Sequence, residues 1–164
     1  MALPMTPIFT QTVSGSTTGS VTFNNIPQYY TDLQIVISAR TNRSNYSADN
    51  IAMVCNGDLS ALYSSTFIYG NGSTVSAGRN SAQQQWRDGI LVCGGNGVTT
   101  NAFGPATVYV PNYTSSNFKS FTVDGVSEDN NATGLSWLAA GLYRSTNAIS
   151  SLSFYPQNTN YFIA

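Results

Sequence analysis

Apolar and polar residues alternate along most of the chain with the period of two that a half-buried β-strand requires. In LQIVISART, residues 33–41, Leu33, Ile35 and Ile37 share one face of the predicted strand. The same pattern predicts strands at 8–13, 20–23, 50–55, 62–70, 88–93, 106–110, 118–126, 135–143, 149–156 and 161–163. Turn-forming residues fill nearly every gap between them. We therefore expect an all-β, antiparallel β-sandwich of jelly-roll type with about 8–11 short strands.

Three segments depart from this simple alternation. Residues 70–82, GNGSTVSAGRNSA, are polar and predict a long mobile loop. Residues 81–88, SAQQQWRD, give the best match to a helix, of about one turn. Residues 135–143, LSWLAAGLY, are apolar on both faces of a strand. This last pattern indicates a strand covered on both sides, either beneath a loop or at a subunit contact.

The stretch VYVPNYTSSNFKSF, residues 108–121, predicts a hairpin corner. Pro111 has no N–H group and ends the first strand, and the polar run after it can turn the chain through local hydrogen bonds. In the returning strand, Phe121 and Val123 lie on the expected core face. Lys119 lies on the same side at the start of that strand, where we expect its stem to reach water.

The length of 164 residues favours one domain with a sizeable core, which we place over residues 1–164. Residues 1–7 contain two prolines and predict an extended N-terminal arm. Cys55 and Cys93 each end an apolar, strand-like run. They are interpreted as buried thiols, with a single disulfide between them as the alternative.

Charge is scarce, since 8% of the residues are Asp, Glu, Lys or Arg and the formal net charge is −1. Soluble domains carry about 25% charged residues, so this surface is polar through uncharged side chains and is weakly protected by charge repulsion. Such a surface is typical of a protein that resides in an assembly, and also of secreted β-proteins. The scattered basic residues argue against nucleic-acid binding, and no apolar run approaches transmembrane length, so we predict no membrane contact.

Residues for catalysis or metal binding are nearly absent. The chain has no histidine, which removes the commonest general base and transition-metal ligand. Asp124, Glu128 and Asp129 could ligate Ca²⁺, but their spacing is not that of a known calcium loop, and a hairpin end explains the cluster equally. We therefore predict no catalytic residue, no cofactor and no metal site, and a protein that is not an enzyme.

Three segments together resemble a module of tailed-bacteriophage virion structural proteins that is common in phages of aquatic hosts and cyanobacteria. They are NNIPQYYTDLQIVISART, YVPNYTSSNFKSFTVDGVSEDN and AGLYRSTNAISSLSFYP, at 24–41, 109–130 and 140–156. The resemblance covers most of residues 8–163, and none of its motifs is catalytic. Members tend to continue with a further strand where this sequence ends. Either that strand is missing here or the sheet closes differently, and an unpaired edge would invite pairing with a neighbouring chain.

The resemblance implies a jelly-roll virion protein that is made in the host bacterial cytoplasm. We expect a capsid decoration, or cement, protein that binds the major capsid protein or other virion proteins on the outer shell as a homotrimer. Contacts with other subunits or the shell are expected at Leu3, Pro4, Trp137, Leu138, Leu142 and Tyr143. The alternative is a tail-fibre or tail-tip module that recognises host surface glycans, with Tyr29, Tyr30 and Trp86 stacking on sugar rings.

Overall fold

The computed structural model describes residues 5–15, 17–95, 99–128 and 134–164, and within these ranges it contains ten β-strands and no helix. The strands are β1 Val21–Phe23, β2 Leu33–Ala39, β3 Ala48–Cys55, β4 Tyr63–Gly70, β5 Val75–Gln83, β6 Trp86–Cys93, β7 Gly104–Val110, β8 Lys119–Glu128, β9 Gly134–Tyr143 and β10 Leu152–Pro156.

The strands form two antiparallel sheets packed face to face, which confirms the predicted β-sandwich. One sheet has the order β1-β10-β3-β6 and the other the order β2-β7-β8-β9-β4-β5. The pairs β4–β5, β3–β6, β2–β7 and β1–β10 are nested, each enclosing the previous one along the chain. This winding of one long hairpin into two sheets is that of a jelly roll. The hairpin of β8 and β9 is an addition that lies between β7 and β4.

Strand β8 shows why the alternating pattern predicts this sheet well. Its residues alternate between buried and exposed along its whole length. Phe121 and Val123 face the core, as predicted. The hairpin corner after β7 is also confirmed, because β7 and β8 are antiparallel and residues 111–117 form the turn. Asn112 has a positive φ of 48°, a conformation that asparagine tolerates better than most residues.

The centre of the core is the indole of Trp86, which is 0% exposed. It lies 5.0 Å from the ring of Phe121, measured between centroids. A Cβ atom added to Gly89 or Gly141 would come within 2.6 or 2.3 Å of the indole, so both positions must lack a side chain. Because an interior is close-packed, these two glycines define the space that the indole fills.

The prediction of a mobile loop at 70–82 is wrong, since most of this segment belongs to strand β5. The inward-facing positions of β5 are small or polar, namely Ser76, Gly78 and Asn80, so the segment lacks an apolar alternation. The ring of Phe67 lies over Gly78 and supplies the apolar contact instead. The expected helical turn at 81–88 is wrong too, because the chain passes from β5 through bends at 84–85 directly into β6.

The two terminal strand predictions are also wrong. Residues 8–13 belong to no ladder, and among the described residues their backbone groups form no backbone hydrogen bond. Near the other end of the sequence, Phe162 forms only isolated bridges, with Thr18 and Thr41. Both segments pack on the core through apolar side chains without extending either sheet.

Lys119 is buried, contrary to the expectation that its stem reaches water. Its ammonium group donates to the carbonyl oxygens of Asn117 and Ser145, at 2.6 and 3.4 Å. Burial lowers its pKa because the charged form loses hydration. The two carbonyl groups therefore take the place of water beneath the hairpin corner.

Candidate functional site

The face of the six-stranded sheet that points away from the core carries a row of exposed apolar side chains. Ile68 of β4 is paired with Ala77 of β5 on one side and with Leu138 of β9 on the other. Directly opposed residues in antiparallel strands have Cβ atoms about 4.5–5.5 Å apart, so these three side chains adjoin. We call Ala77, Ile68 and Leu138 the outer row.

The outer row has few charges around it. Leu138 is 58% exposed, and Val75 and Val126 are exposed on the same face. On the neighbouring strand β8, Asp124 is paired directly with Leu138. Most of the remaining outward positions of β8, β9 and β4 are serine, threonine or alanine. The face is therefore an apolar strip within a mostly uncharged polar surface, with Asp124 and Arg79 as its charged neighbours, and such a strip is suited to burial against another protein.

The predicted contact residues divide between the two faces of β9. Leu138 is exposed and Leu142 is half-buried on the outer side. Trp137 and Tyr143 are buried on the inner side, so the prediction that they form subunit or shell contacts is wrong. Among the described residues no loop covers the outer side of β9, so of the two alternatives for this strand the subunit contact stays a prediction. Leu3 and Pro4 lie outside the described residues.

The inner aromatics of β9 have partners within the chain. The ring of Trp137 stacks on Phe67 and Tyr69, with centroid distances of 4.7 and 5.1 Å. Tyr143 stacks on Tyr63 at 4.8 Å and donates its hydroxyl hydrogen to Asp58 Oδ2 at 2.8 Å. Burial raises the pKa of Tyr143 to about 12. These contacts explain why the two rings are unavailable to a partner.

The three aromatics proposed for sugar stacking are also separated. Tyr29 is 78% exposed, and its ring lies 4.5 Å from that of Tyr30 at a tilt of 44°. Trp86 is in the core, so its assignment as a sugar-stacking residue is wrong. The tight reversal from β5 into β6 turns the ring of Trp86 inward, although the neighbours of Trp86 in the sequence are polar. Of the three candidates, the pair Tyr29 and Tyr30 on the loop before β2 remains at the surface.

A hydrogen-bonded carboxylate lies beside that loop. Asp32 accepts hydrogen bonds from the hydroxyl of Tyr109 at 2.6 Å and from the backbone N–H of Asn112 at 2.8 Å. Both bonds favour the ionised form and hold the pKa of Asp32 below its usual range. The hydroxyl of Tyr113 also donates to the backbone carbonyl of Pro27. The loop carrying the tyrosine pair is therefore fixed to the hairpin corner.

A buried polar cluster that the sequence analysis missed surrounds Asp49 of β3. Its carboxylate accepts hydrogen bonds from Thr41 Oγ1 at 2.8 Å and Asn160 Nδ2 at 2.9 Å, and Arg43 Nη1 lies 3.4 Å away. Burial raises the pKa of Asp49 despite these partners. The cluster joins the segment after β2, β3 and the segment after β10. In the sequence, the only sign that Asp49 is buried is its position just before the apolar run IAMVC.

Groups suited to catalysis or metal binding are not assembled in the described part of the chain. Within it, no three His, Cys, Asp or Glu residues come together as metal ligands. Asp124 and Glu128 lie on the exposed side of β8, and Asp129 is outside the described residues. Cys55 carries a free, buried thiol whose pKa burial raises to about 12, so it is unreactive at neutral pH. The side chain of Cys93 lies outside the described part.

Comparison with protein-family models, with curated proteins and with solved structures found no match to this chain. Over the ranges that the structure describes, no helix is long and apolar enough to cross a membrane.

Proposed function

We propose that the protein is a non-enzymatic structural component of a tailed-phage virion, and that it decorates and stabilises the outer shell of the capsid. The observation that carries this proposal is the outer row, an exposed apolar strip on a rigid sheet face with few charges around it. The likeness of the three sequence segments to phage structural proteins supports the same role. The proposed partners are the major capsid protein or other virion proteins, and the proposed assembly is a homotrimer.

The physical basis of the proposed role is burial of surface across the joints of the shell. A protein that binds only the assembled shell stabilises it by mass action. A specific contact needs roughly 1,000 Å² or more of buried surface, of which the outer row would form the apolar centre and the serine and threonine positions the polar rim. A trimer would engage three sites at once, which raises the overall affinity without any new kind of contact.

Leu138→Lys is expected to weaken binding to shells by about tenfold or more, because an ammonium group would lose its hydration at the centre of the contact. The matched control is Leu59→Lys, since Leu59 is 56% exposed and lies in the turn between β3 and β4. Co-sedimentation of purified protein with shells that lack it measures both variants. Equal binding by the two variants contradicts the outer row as the contact.

The location on the particle is tested separately by a reconstruction of the purified virion. Hundreds of copies on the shell are expected for a decoration protein. A few copies at the tail would contradict decoration and favour the second candidate, a receptor-binding module of the tail.

The observation that favours this second candidate is the exposed ring of Tyr29 beside Tyr30, because aromatic faces stack on sugar rings. Tyr29→Ala is then expected to lower glycan affinity by about tenfold, measured on an array of bacterial surface glycans. Tyr155→Ala is the control, since Tyr155 is also an exposed tyrosine, at 37%, and lies on β10 in the other sheet. No binding by the wild type, or equal loss in both variants, contradicts glycan recognition through Tyr29.

A further inference from the structure

An open apolar groove runs along the free edge of β2. It has a volume of about 440 Å³ and lies where the two sheets separate, between β2 and residues 7–11. Its lining is mostly apolar and includes Ile8, Val13, Phe23, Ile35, Ile37 and Phe154. Of the inward-facing residues of β2, Leu33 is buried, whereas Ile35, Ile37 and Ala39 are only half-buried because the groove is incompletely filled.

The edge of β2 lacks the features that usually prevent strand addition. β2 pairs with β7 on one side only and in unbroken register from Leu33 to Ala39. It contains no charge, proline or glycine, and Val36 on its outer side is 76% exposed. At the other edge of the same sheet, β5 carries Arg79 and Gly78 and its pairing is interrupted by a bulge. An unprotected edge of this kind is a site for pairing with another strand.

The chain itself supplies a strand of matching character. Residues 8–13, IFTQTV, have the composition of a β-strand, yet their backbone groups form no hydrogen bond with another backbone group of the described residues. Neither residues 8–13 nor β2 contains a charged side chain. Pairing of the two strands would therefore bury no charge. The segment is joined to β1 through SGSTTGS, residues 14–20, in which Gly15 has a φ of 98°. A glycine-containing connection of this type can act as a hinge.

We propose that the groove receives residues 5–13 of a second copy of this chain, which add to the edge of β2 as an extra strand. Within one chain the segment covers the groove through Ile8 and Val13 but makes no ladder. In the neighbouring groove it would keep the same apolar contacts and also gain hydrogen bonds to β2. Exchange of an identical element between protomers is a low-cost route to an oligomer.

The exchange also fits a closed ring, because each copy gives one strand and receives one. Such a head-to-tail contact closes into a trimer when the rotation between copies is a third of a turn. Only this threefold closure rests on the proposed decoration role. The strand exchange itself is tested with purified protein and no particle, so its failure is distinguishable from failure to bind a shell.

The test is Val36→Lys in the full chain, with Val75→Lys as the control. Val75 is 73% exposed at the other edge of the same sheet, so both substitutions should leave the folded monomer intact. A lysine on an edge strand opposes strand addition. Val36→Lys is therefore expected to raise the dissociation constant of the oligomer by about tenfold or more, measured by analytical ultracentrifugation, and Val75→Lys to leave it unchanged.

Hydrogen exchange identifies which strand is added. The amides of residues 8–13, and those amides of 33–39 that point away from β7, are both expected to be protected in the wild-type oligomer and to lose this protection in Val36→Lys. A wild type that is monomeric at micromolar concentration overturns the proposal, and so does an equal effect of the two lysine variants. Protection of 33–39 alone also overturns it, because that result indicates that two β2 edges pair with each other.

Discussion

Trp86→Ala is expected to lower the free energy of unfolding by about 3–5 kcal/mol, a large part of the stability of a domain of this size. The indole is fully buried between the sheets, and the glycines around it leave no side chain that could fill the cavity. Chemical denaturation monitored by circular dichroism measures the loss. Trp86→Phe should cost substantially less, because it keeps most of the apolar area and removes an indole N–H that has no hydrogen-bond partner in the described part of the chain.

A double-mutant cycle with Gly141→Ala tests the packing directly. A Cβ at this position would lie 2.3 Å from Trp86 Nε1, so Gly141→Ala alone is expected to cost about 1–3 kcal/mol. In the Trp86→Ala background the added methyl group enters the cavity, and its cost should disappear. Additive losses in the double variant would contradict the close contact, since residues that touch are coupled.

Asp49→Ala is expected to lower the free energy of unfolding by about 3 kcal/mol, since hydrogen bonds to a charged group contribute about 1.5–3 kcal/mol each. The substitution removes the acceptor of Thr41, which is itself buried, and of Asn160. Arg43 is partly exposed and can regain water, which limits the loss. Denaturant unfolding measures it, and Asp124→Ala, at an exposed position of β8, is expected to change stability by less than about 0.5 kcal/mol.

The pH dependence of stability provides a second readout for Asp49. Burial raises its pKa above the ordinary value of 3.8, so the folded state binds this proton more tightly than the unfolded state. The resulting contribution to stability is complete below about pH 4 and is lost as the pH rises through the raised pKa. Asp49→Asn should remove this component. A wild-type and a variant profile that run parallel from acid to neutral pH would show that Asp49 is not desolvated.

The sheet that carries the outer row could be predicted from the sequence because β7 and β8 alternate cleanly between core and surface. The exposure of Leu138 could not, because LSWLAAGLY is apolar at both sets of positions and only the fold shows which set is covered. Strand β5 was not predicted because its own inward positions lack apolar side chains. The ring of Phe67, from β4, supplies the apolar contact there.

Burial of individual side chains was the least predictable property. Trp86 follows three glutamines and Lys119 starts a strand, and both positions suggest a surface. A two-residue reversal turns the first inward. The carbonyl oxygen of Ser145, on another loop, and that of the nearby Asn117 accept hydrogen bonds from the second. Such partners are set by tertiary contacts, which local alternation does not encode.

The nested strand pairs also determine the order in which this chain can fold. The innermost pair, β4 and β5, needs only a short connection and can form while synthesis continues. The sheet that contains Trp86 is different, because β10 lies between β1 and β3 and pairs Val21 with Phe154. That sheet cannot close on the ribosome until β10 has emerged. We therefore expect slow folding that is completed only after β10 has been synthesised, with the edges of β1 and β3 open to other chains in the meantime.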